Sequence, residues 1–198
     1  METKSGPREA PAAEIRLWSV VLGAGAGSRF GGDKLRTPFG SGRLIDASLA
    51  AARAAPVAGV VLVTRPGDRL VESPDVHVVE AADWAEGMAA SLRAGIAALP
   101  ADATGAFIFL GDMPRITHPV LPALAEALTA GALAAAPTFE GRMGHPVVFA
   151  SALFPELLAL QGDRGARAVL DRLGDRLALV EAADDGVLYD VDRPGDLS

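Results

Sequence analysis

The sequence predicts an α/β fold with a mainly parallel sheet, and three observations carry that expectation. Strand-like and helix-like stretches alternate through the first two thirds of the chain, the pattern of successive βαβ units. The first apolar run, Leu17–Leu22, is continuous where a half-exposed strand would alternate, so it suits a sheet covered on both faces. That run then breaks at once into glycines at 23, 25, 27, 31 and 32, which is how a strand gives way to a ligand-binding loop.

The elements follow in order. Thr37-Pro38 blocks a helix directly behind Lys34, because the residue before a proline is pushed out of the helical region. Residues 44–55 are alanine-rich and helical, closed by Pro56. Strands are expected over 59–64 and 76–79. Residues 87–99 place Met88, Leu92, Ile96 and Leu99 on one helical face. A fourth strand, 106–110, runs straight into Gly111-Asp-Met-Pro114. Thr117 is the expected N-cap of a helix over 119–128, and 133–136 forms a fifth strand. Residues 140–143 read as a turn, 144–149 as a strand, 152–160 and 164–173 as helices. Segments 177–180 and 187–191 read as terminal strands before a last helical turn at Pro194. Residues 1–14, polar with Pro7 and Pro11 and lacking a secretory apolar core, are expected to be a disordered tail. Residues 15–198 are expected to form a single domain.

The opening loop has the chemistry of a polyphosphate cradle. Successive backbone N–H groups in a glycine loop can converge on one anion, and Arg29 and Lys34 add positive charge. The spacing excludes the two commonest phosphate loops. A Walker A loop needs Gly-Lys followed by Ser or Thr, whereas Asp33 separates Gly32 from Lys34 and Leu35 follows. The dinucleotide-binding G-x-G-x-x-G fails from Gly23, which puts Ser28 third, and from Gly25, which puts Phe30 there. What stands is L-x-A-G-x-G-x-R-x-G-x-D-K, running from Leu22 to Lys34. The competing reading is a glycine-rich turn with two solvated cations.

Composition narrows the function. The net charge of −7 argues against general nucleic-acid binding, and no apolar run approaches a membrane span. With no cysteine there is no disulfide, thiol nucleophile or thiolate metal site. A cytoplasmic location is the default expectation.

Ligands of a parallel sheet bind beyond the carboxyl ends of its strands. Asp112 leaves such an end, where a carboxylate facing phosphates needs a cation between them; Mg²⁺ takes such oxygen ligands. The alternative is an ordinary Gly-Asp-x-Pro turn aspartate. Asp190 and Asp192 alternate along a segment read as extended, so one of the two is expected to reach a shared metal while the other turns away. Asp192 could instead cap the last helix. His145 sits at the apex of Gly144-His-Pro146 and is either structural or functional. Gly162-Asp-Arg-Gly-Ala-Arg167 is either an anion site at a helix start or a capped surface helix.

Six segments occur in one order: 22–34, Gly87-Met-Ala-Ala-Ser-Leu92, Leu110-Gly-Asp-Met-Pro114, Gly144-His-Pro-Val147, the 162–167 segment and Asp190-Val-Asp-Arg-Pro-Gly-Asp-Leu197. Together they resemble the molybdenum cofactor nucleotidyltransferases, MobA-like NTP transferases. Ala24-Gly25 and Glu86-Gly-Met-Ala-Ala-Ser-Leu92 are most similar to the cytidylyl branch, which joins CMP to molybdopterin. The resemblance implies a Rossmann-like three-layer α/β/α sandwich of the nucleotide-diphospho-sugar transferase type. It implies a nucleotide site at Leu22, Gly23, Ala24, Gly25, Gly27, Arg29, Lys34, Ser91 and Asp112, with Arg29, Lys34 and Asp112 catalytic. It implies Mg²⁺ on Asp112 and Asp192, and acceptor binding by His145, Asp163, Arg164 and Arg167. Its partners would be CTP or GTP and molybdopterin, with transient contact to a molybdoenzyme or its chaperone. Gly23 replaces the family's usual Ala, and Arg193 its usual Thr.

The implied reaction is attack of the molybdopterin phosphate on the α-phosphorus of CTP, with loss of pyrophosphate. Such chemistry rests on positioning and charge neutralisation. Three alternatives stay open: a guanylyl or sugar-phosphate nucleotidyltransferase of the same fold, an NAD(P)-dependent oxidoreductase using Arg65 on a 2′-phosphate, and a non-catalytic molybdopterin-binding protein.

Overall fold

The computed structural model describes residues 15–25, 27, 30, 33–163 and 165–197. Its ten strands and five α-helices are β1 (Leu17–Leu22), β2 (Pro38–Phe39), β3 (Gly42–Arg43), α1 (Leu44–Ala54), β4 (Val60–Thr64), β5 (Val76–Glu80), α2 (Met88–Ala97), β6 (Gly105–Leu110), α3 (Val120–Thr129), β7 (Ala134–Phe139), β8 (Arg142–Met143), β9 (Val147–Ala150), α4 (Phe154–Leu158), α5 (Arg167–Leu170) and β10 (Leu177–Glu181). The main sheet runs β10-β7-β9-β6-β1-β4-β5, with β8 paired to β7. β1 lies parallel between β4 and β6, and β9 is the antiparallel strand between β6 and β7.

Alternation along the central strands divides the core into two layers, because successive side chains point to opposite faces. Val21, Phe107 and Phe109 pack with Ile45 and Leu49 of α1 and Leu121 and Leu124 of α3. Val20, Leu22, Ala106 and Ile108 pack on the other side with Leu92 and Ile96 of α2, Leu157 of α4 and Val169 of α5. Helices on both faces of a mainly parallel sheet make a Rossmann-like α/β/α sandwich. This explains why β1 and β6 do not alternate; Ser19 of β1 is fully buried, with its hydroxyl donating to the Ala52 carbonyl at 2.9 Å.

Four sequence expectations are corrected. Residues 187–191 form no strand: a 3-10 turn covers Asp185–Leu188, opened by the Asp184 carboxylate accepting from the Gly186 N–H at 2.9 Å. Its backbone bonds go to the site loops instead of a sheet edge. The Val187 carbonyl accepts from the His145 N–H, and the Val191 N–H donates to the Asp112 carbonyl. Thr117 is not the cap of α3; Pro119 holds that position without a side-chain bond. The two helices expected over 152–160 and 164–173 shrink to α4 and α5. Gly162, Gly165 and Gly174 take left-handed φ on either side of α5 and stop it growing. Residues 140–143 are more than a turn. Glu140 and Gly141 both have positive φ, the signature of a two-residue hairpin, and they join β7 to β8. The expected tail, 1–14, lies outside the described residues.

Candidate active site

The register of the three central strands assembles the site. Leu22 pairs with Leu110 on one side and Val63 on the other, so β1, β6 and β4 end level at the sheet's carboxyl edge. The ladder continues one bond into each loop: the Gly23 N–H donates to the Val63 carbonyl, and the Gly111 N–H to the Leu22 carbonyl. The glycine loop, the Asp112 turn and Arg65 therefore leave the sheet side by side.

Asp112 is fixed from below. The buried Ser48 hydroxyl of α1 donates to the Gly111 carbonyl at 2.9 Å and lies 3.3 Å from that of Met113. Lys34 opens a 3-10 turn, Lys34–Arg36, that ends at Thr37 as the Thr37-Pro38 pair requires. Its Nζ lies 2.7 Å from Asp112 Oδ2 and 3.6 Å from Asp192 Oδ1. The lysine side chain is 10% exposed against 26% for Asp112 and 41% for Asp192, so the stronger pair is also the less solvated one. The Asp192 turn is closed by Asp196, whose carboxylate accepts from the backbone N–H groups of Asp192 and Arg193.

The alternation expected of Asp190 and Asp192 has no strand to rest on, although Asp192 does reach Lys34. Partial burial, then the negative charges of Asp192 and Asp112, push the Asp190 carboxyl upward, and Lys34 opposes the shift. It stands within the field of the cluster because the segment is a 3-10 turn with an irregular tail and has no strand periodicity. Among the described residues, no group of three or more His, Cys, Asp or Glu stands close enough to hold a metal. Asp112 and Asp192 do share one cation, the Lys34 ammonium. A site that already accommodates a positive charge between two carboxylates fits a hard divalent ion that takes its remaining ligands from phosphate and water.

A cleft of about 510 Å³ opens beside these groups, within the range of small-molecule sites. Ala24, Gly25, Trp84, Met88, Ser91 and Asp112 line it. A recess of about 70 Å³ adjoins it, bounded by Gly23, Gly25, Gly27, Lys34, Arg65 and Asp112. A third cavity of about 140 Å³ is mainly apolar and includes Met88, Met143, His145, Phe149 and Arg167. Leu22 borders all three.

His145 is placed by its neighbours. Gly144 cannot be replaced without movement, since a Cβ there would stand 2.1 Å from the Val187 carbonyl oxygen. Burial lowers the ring's pKa, against the raising effects of an Ile108 backbone bond and the Asp112 charge, so the imidazole is held neutral. Its Nδ1 is buried without a partner among the described residues.

The 162–167 segment does something the sequence did not reveal. The Asp163 carboxylate accepts from the Met88 N–H at 3.2 Å, and the Gly162 carbonyl from the Ala89 N–H at 3.1 Å. The segment thus satisfies the first turn of α2 from outside the helix. Gly87 begins that turn at φ 115°, where a Cβ would stand 3.0 Å from the Gly162 carbonyl. Asp163 borders the large cleft, while Arg167 reaches the apolar cavity and pairs with Asp171 at 2.8 Å. Arg29 and Arg164 lie outside the described residues.

Sequence reasoning overlooked Ser48 and Trp84, and gave Arg65 another role. Arg65 Nε donates to the Ala24 carbonyl at 3.3 Å, Nη2 donates to the Gly25 carbonyl, and the guanidinium lies 4.9 Å from the Trp84 ring centroid. Two of its donors are thus committed to the loop backbone, a role different from the 2′-phosphate contact expected of it. Its place directly after β4, at the ligand edge, was the available signal.

The family model for the MobA-like NTP transferase domain matches residues 19–177, spanning both the glycine loop and the Asp112 turn. The chain belongs to that family. This MobA-like transferase is 32% identical over 194 residues to the purine catabolism protein PucB of Bacillus subtilis (strain 168), covering 90% of this chain and 92% of the relative. It is 24% identical over 182 residues to the molybdenum cofactor cytidylyltransferase of Escherichia coli (strain K12), covering 89% and 91%. Among solved structures, Rv0371c from Mycobacterium tuberculosis H37Rv superposes on the MobA-like transferase with a TM-score of 0.81 at 27% identity, over 93% of this chain and 96% of that one. A manganese complex of Rv0371c gives a TM-score of 0.70 at 24% identity, over 85% and 88%.

Proposed function

We propose that the protein transfers CMP from CTP to the terminal phosphate of molybdopterin, with release of pyrophosphate. One observation carries the reading: the Lys34 ammonium lies between Asp112 and Asp192 at the junction of the cleft and the glycine-loop recess. A triphosphate laid from cleft to recess would have the loop glycines and Lys34 against its charge. The cytidylyl preference is supported by where the two diagnostic segments fall. Ala24-Gly25 and Glu86–Ser91 residues line the same cleft, so both would face the nucleotide.

The chain's residues suit this reaction. The attacking phosphate is ionised at neutral pH and needs no general base, which agrees with a neutral, buried His145. Lys34 would stabilise charge accumulating on pyrophosphate. Arg29 would act with it. Asp112 and Asp192 would hold a divalent cation, Mg²⁺ by expectation, which when bound neutralises triphosphate charge and polarises the α-phosphoryl group. The apolar cavity beside His145 and Arg167 would take the pterin.

The test incubates the protein with each nucleoside triphosphate, Mg²⁺ and molybdopterin, and follows pyrophosphate release. CTP is expected to support release above the other three. Preference for GTP would reassign the base. Nucleotide binding without release from any triphosphate would favour a non-catalytic pterin-binding protein.

A further inference from the structure

We infer that Arg65 is the positioning residue of the nucleotide cleft, holding its floor and its aromatic wall with one guanidinium. The inference rests on the nucleotide-binding reading of that cleft. Arg65 is the first residue beyond β4, whose Val63 pairs with Leu22 of β1. This brings it alongside Ala24 and Gly25, some forty positions earlier. Its edge donates to both carbonyls, and its guanidinium carbon lies over the Trp84 ring, 4.9 Å from the centroid.

Each contact has a consequence for the cleft. A trans peptide directs its C=O and the following N–H in opposite directions. With the Ala24 carbonyl held by Arg65, the Gly25 N–H is turned away from the guanidinium and kept available as a donor. The two held carbonyls also fix the backbone at Ala24 and Gly25, which lowers the ordering cost of binding. Trp84 belongs to a 3-10 turn, Trp84–Glu86, and lines the cleft with Met88 and Ser91. A cation held over the ring restrains the indole. Arg65 itself borders the smaller recess and not the large cleft. It therefore works from behind, acting on base and ribose through Trp84 and on the phosphates through the Gly25 N–H that it keeps available.

Lysine cannot do the same, because an ammonium has neither the fork to span two carbonyls nor the flat face to stack. This separates positioning from charge. A residue binding the triphosphate directly would affect CTP far more than CMP, and Lys would partly replace it. A residue shaping the base and ribose wall weakens CMP as well as CTP, and Lys does not rescue.

The experiment has two arms, with thermal melts confirming that each variant is folded. In the first, no ligand is present. The chain has two tryptophans, so Trp84 emission is isolated as the difference between each protein and its Trp84→Phe counterpart. Arg65→Met and Arg65→Lys are expected to increase acrylamide quenching of Trp84; unchanged quenching in both overturns the brace. In the second, dissociation constants for CTP and CMP are measured by calorimetry. Both variants are expected to weaken both nucleotides by about tenfold, and Arg65→Met combined with Trp84→Ala to bind no worse than the weaker single variant. Loss confined to CTP, or rescue by lysine, overturns the positioning role. A wild-type protein that binds neither nucleotide overturns the functional reading instead, and the quenching arm then decides on the brace by itself.

Discussion

Asp112 and Asp192 share one ammonium, yet their surroundings rank them. Asp112 is held by Ser48 beneath its turn and by the Val191 N–H on its carbonyl, and its carboxylate makes the 2.7 Å pair with Lys34. Asp192 stands at 3.6 Å and is more exposed. Replacing Asp112 with Asn should reduce pyrophosphate release on the order of 10²-fold or more, the scale of losing one preorganised charge at a reacting phosphate. Asp192→Asn should cost less, and both proteins should melt cooperatively. Greater damage from Asp192→Asn would reverse the ranking. Lys34 and Asp112, singled out by the sequence, and Ser91, implied by the family resemblance, fall around the cleft and its recess because each lies near the ligand edge in a short segment. Arg65 was not legible in the sequence, because its meaning depends on Ala24, Gly25 and Trp84, which only the β1–β4 register and the turn after β5 bring to it. Ser48 was hidden in an alanine-rich helix, where a serine reads as surface.

At the scale of elements, the start of α2 is the instructive case. A helix opening without a side-chain cap leaves N–H groups unsatisfied, and here Gly162 and Asp163 supply acceptors from more than seventy positions away. Gly87→Ala must either abandon φ 115° or press on the Gly162 carbonyl. A loss of about 1–3 kcal/mol in urea unfolding is expected, together with weaker nucleotide binding, because Met88 and Ser91 line the cleft. Unchanged stability would show that the two segments are not coupled. The sequence read the central strands well, β1 to the residue, since a buried parallel strand is a plain apolar run. It misread 187–191 for the same reason. Val187 and Val191 are fully buried, and apolar content alone does not tell a strand from a coil packed under the site. The reversed β9 was equally hidden, because strand direction depends on connections and leaves no periodic trace.

Across the whole molecule, a buried histidine links acidity to folding. His145 is held neutral by burial, so the unfolded chain gains a proton at its ordinary pKa near 6.5 while the native state resists it. The unfolded state then binds more protons, and stability falls as pH drops below about 6.5. Melting temperatures from pH 8 to 5 should decline on the acid side, and His145→Gln should flatten that decline. An identical slope in the variant would assign the acid sensitivity elsewhere.

Lys34 has a consequence for the order in which ligands arrive. The protein carries its own counter-ion: until the ammonium leaves Asp112, a free divalent ion meets a position that is already neutralised. A triphosphate offers the lysine a richer anion and the two carboxylates a reason to release it, so nucleotide and metal should enter together. Titration with Mn²⁺ alone, followed by electron paramagnetic resonance of the free ion, should give weak binding that CTP strengthens. Lys34→Met should bind Mn²⁺ more tightly than wild type when no nucleotide is present, despite having lost a residue of the site. If it binds Mn²⁺ no better, the lysine does not guard the position, and metal and nucleotide are free to enter in either order.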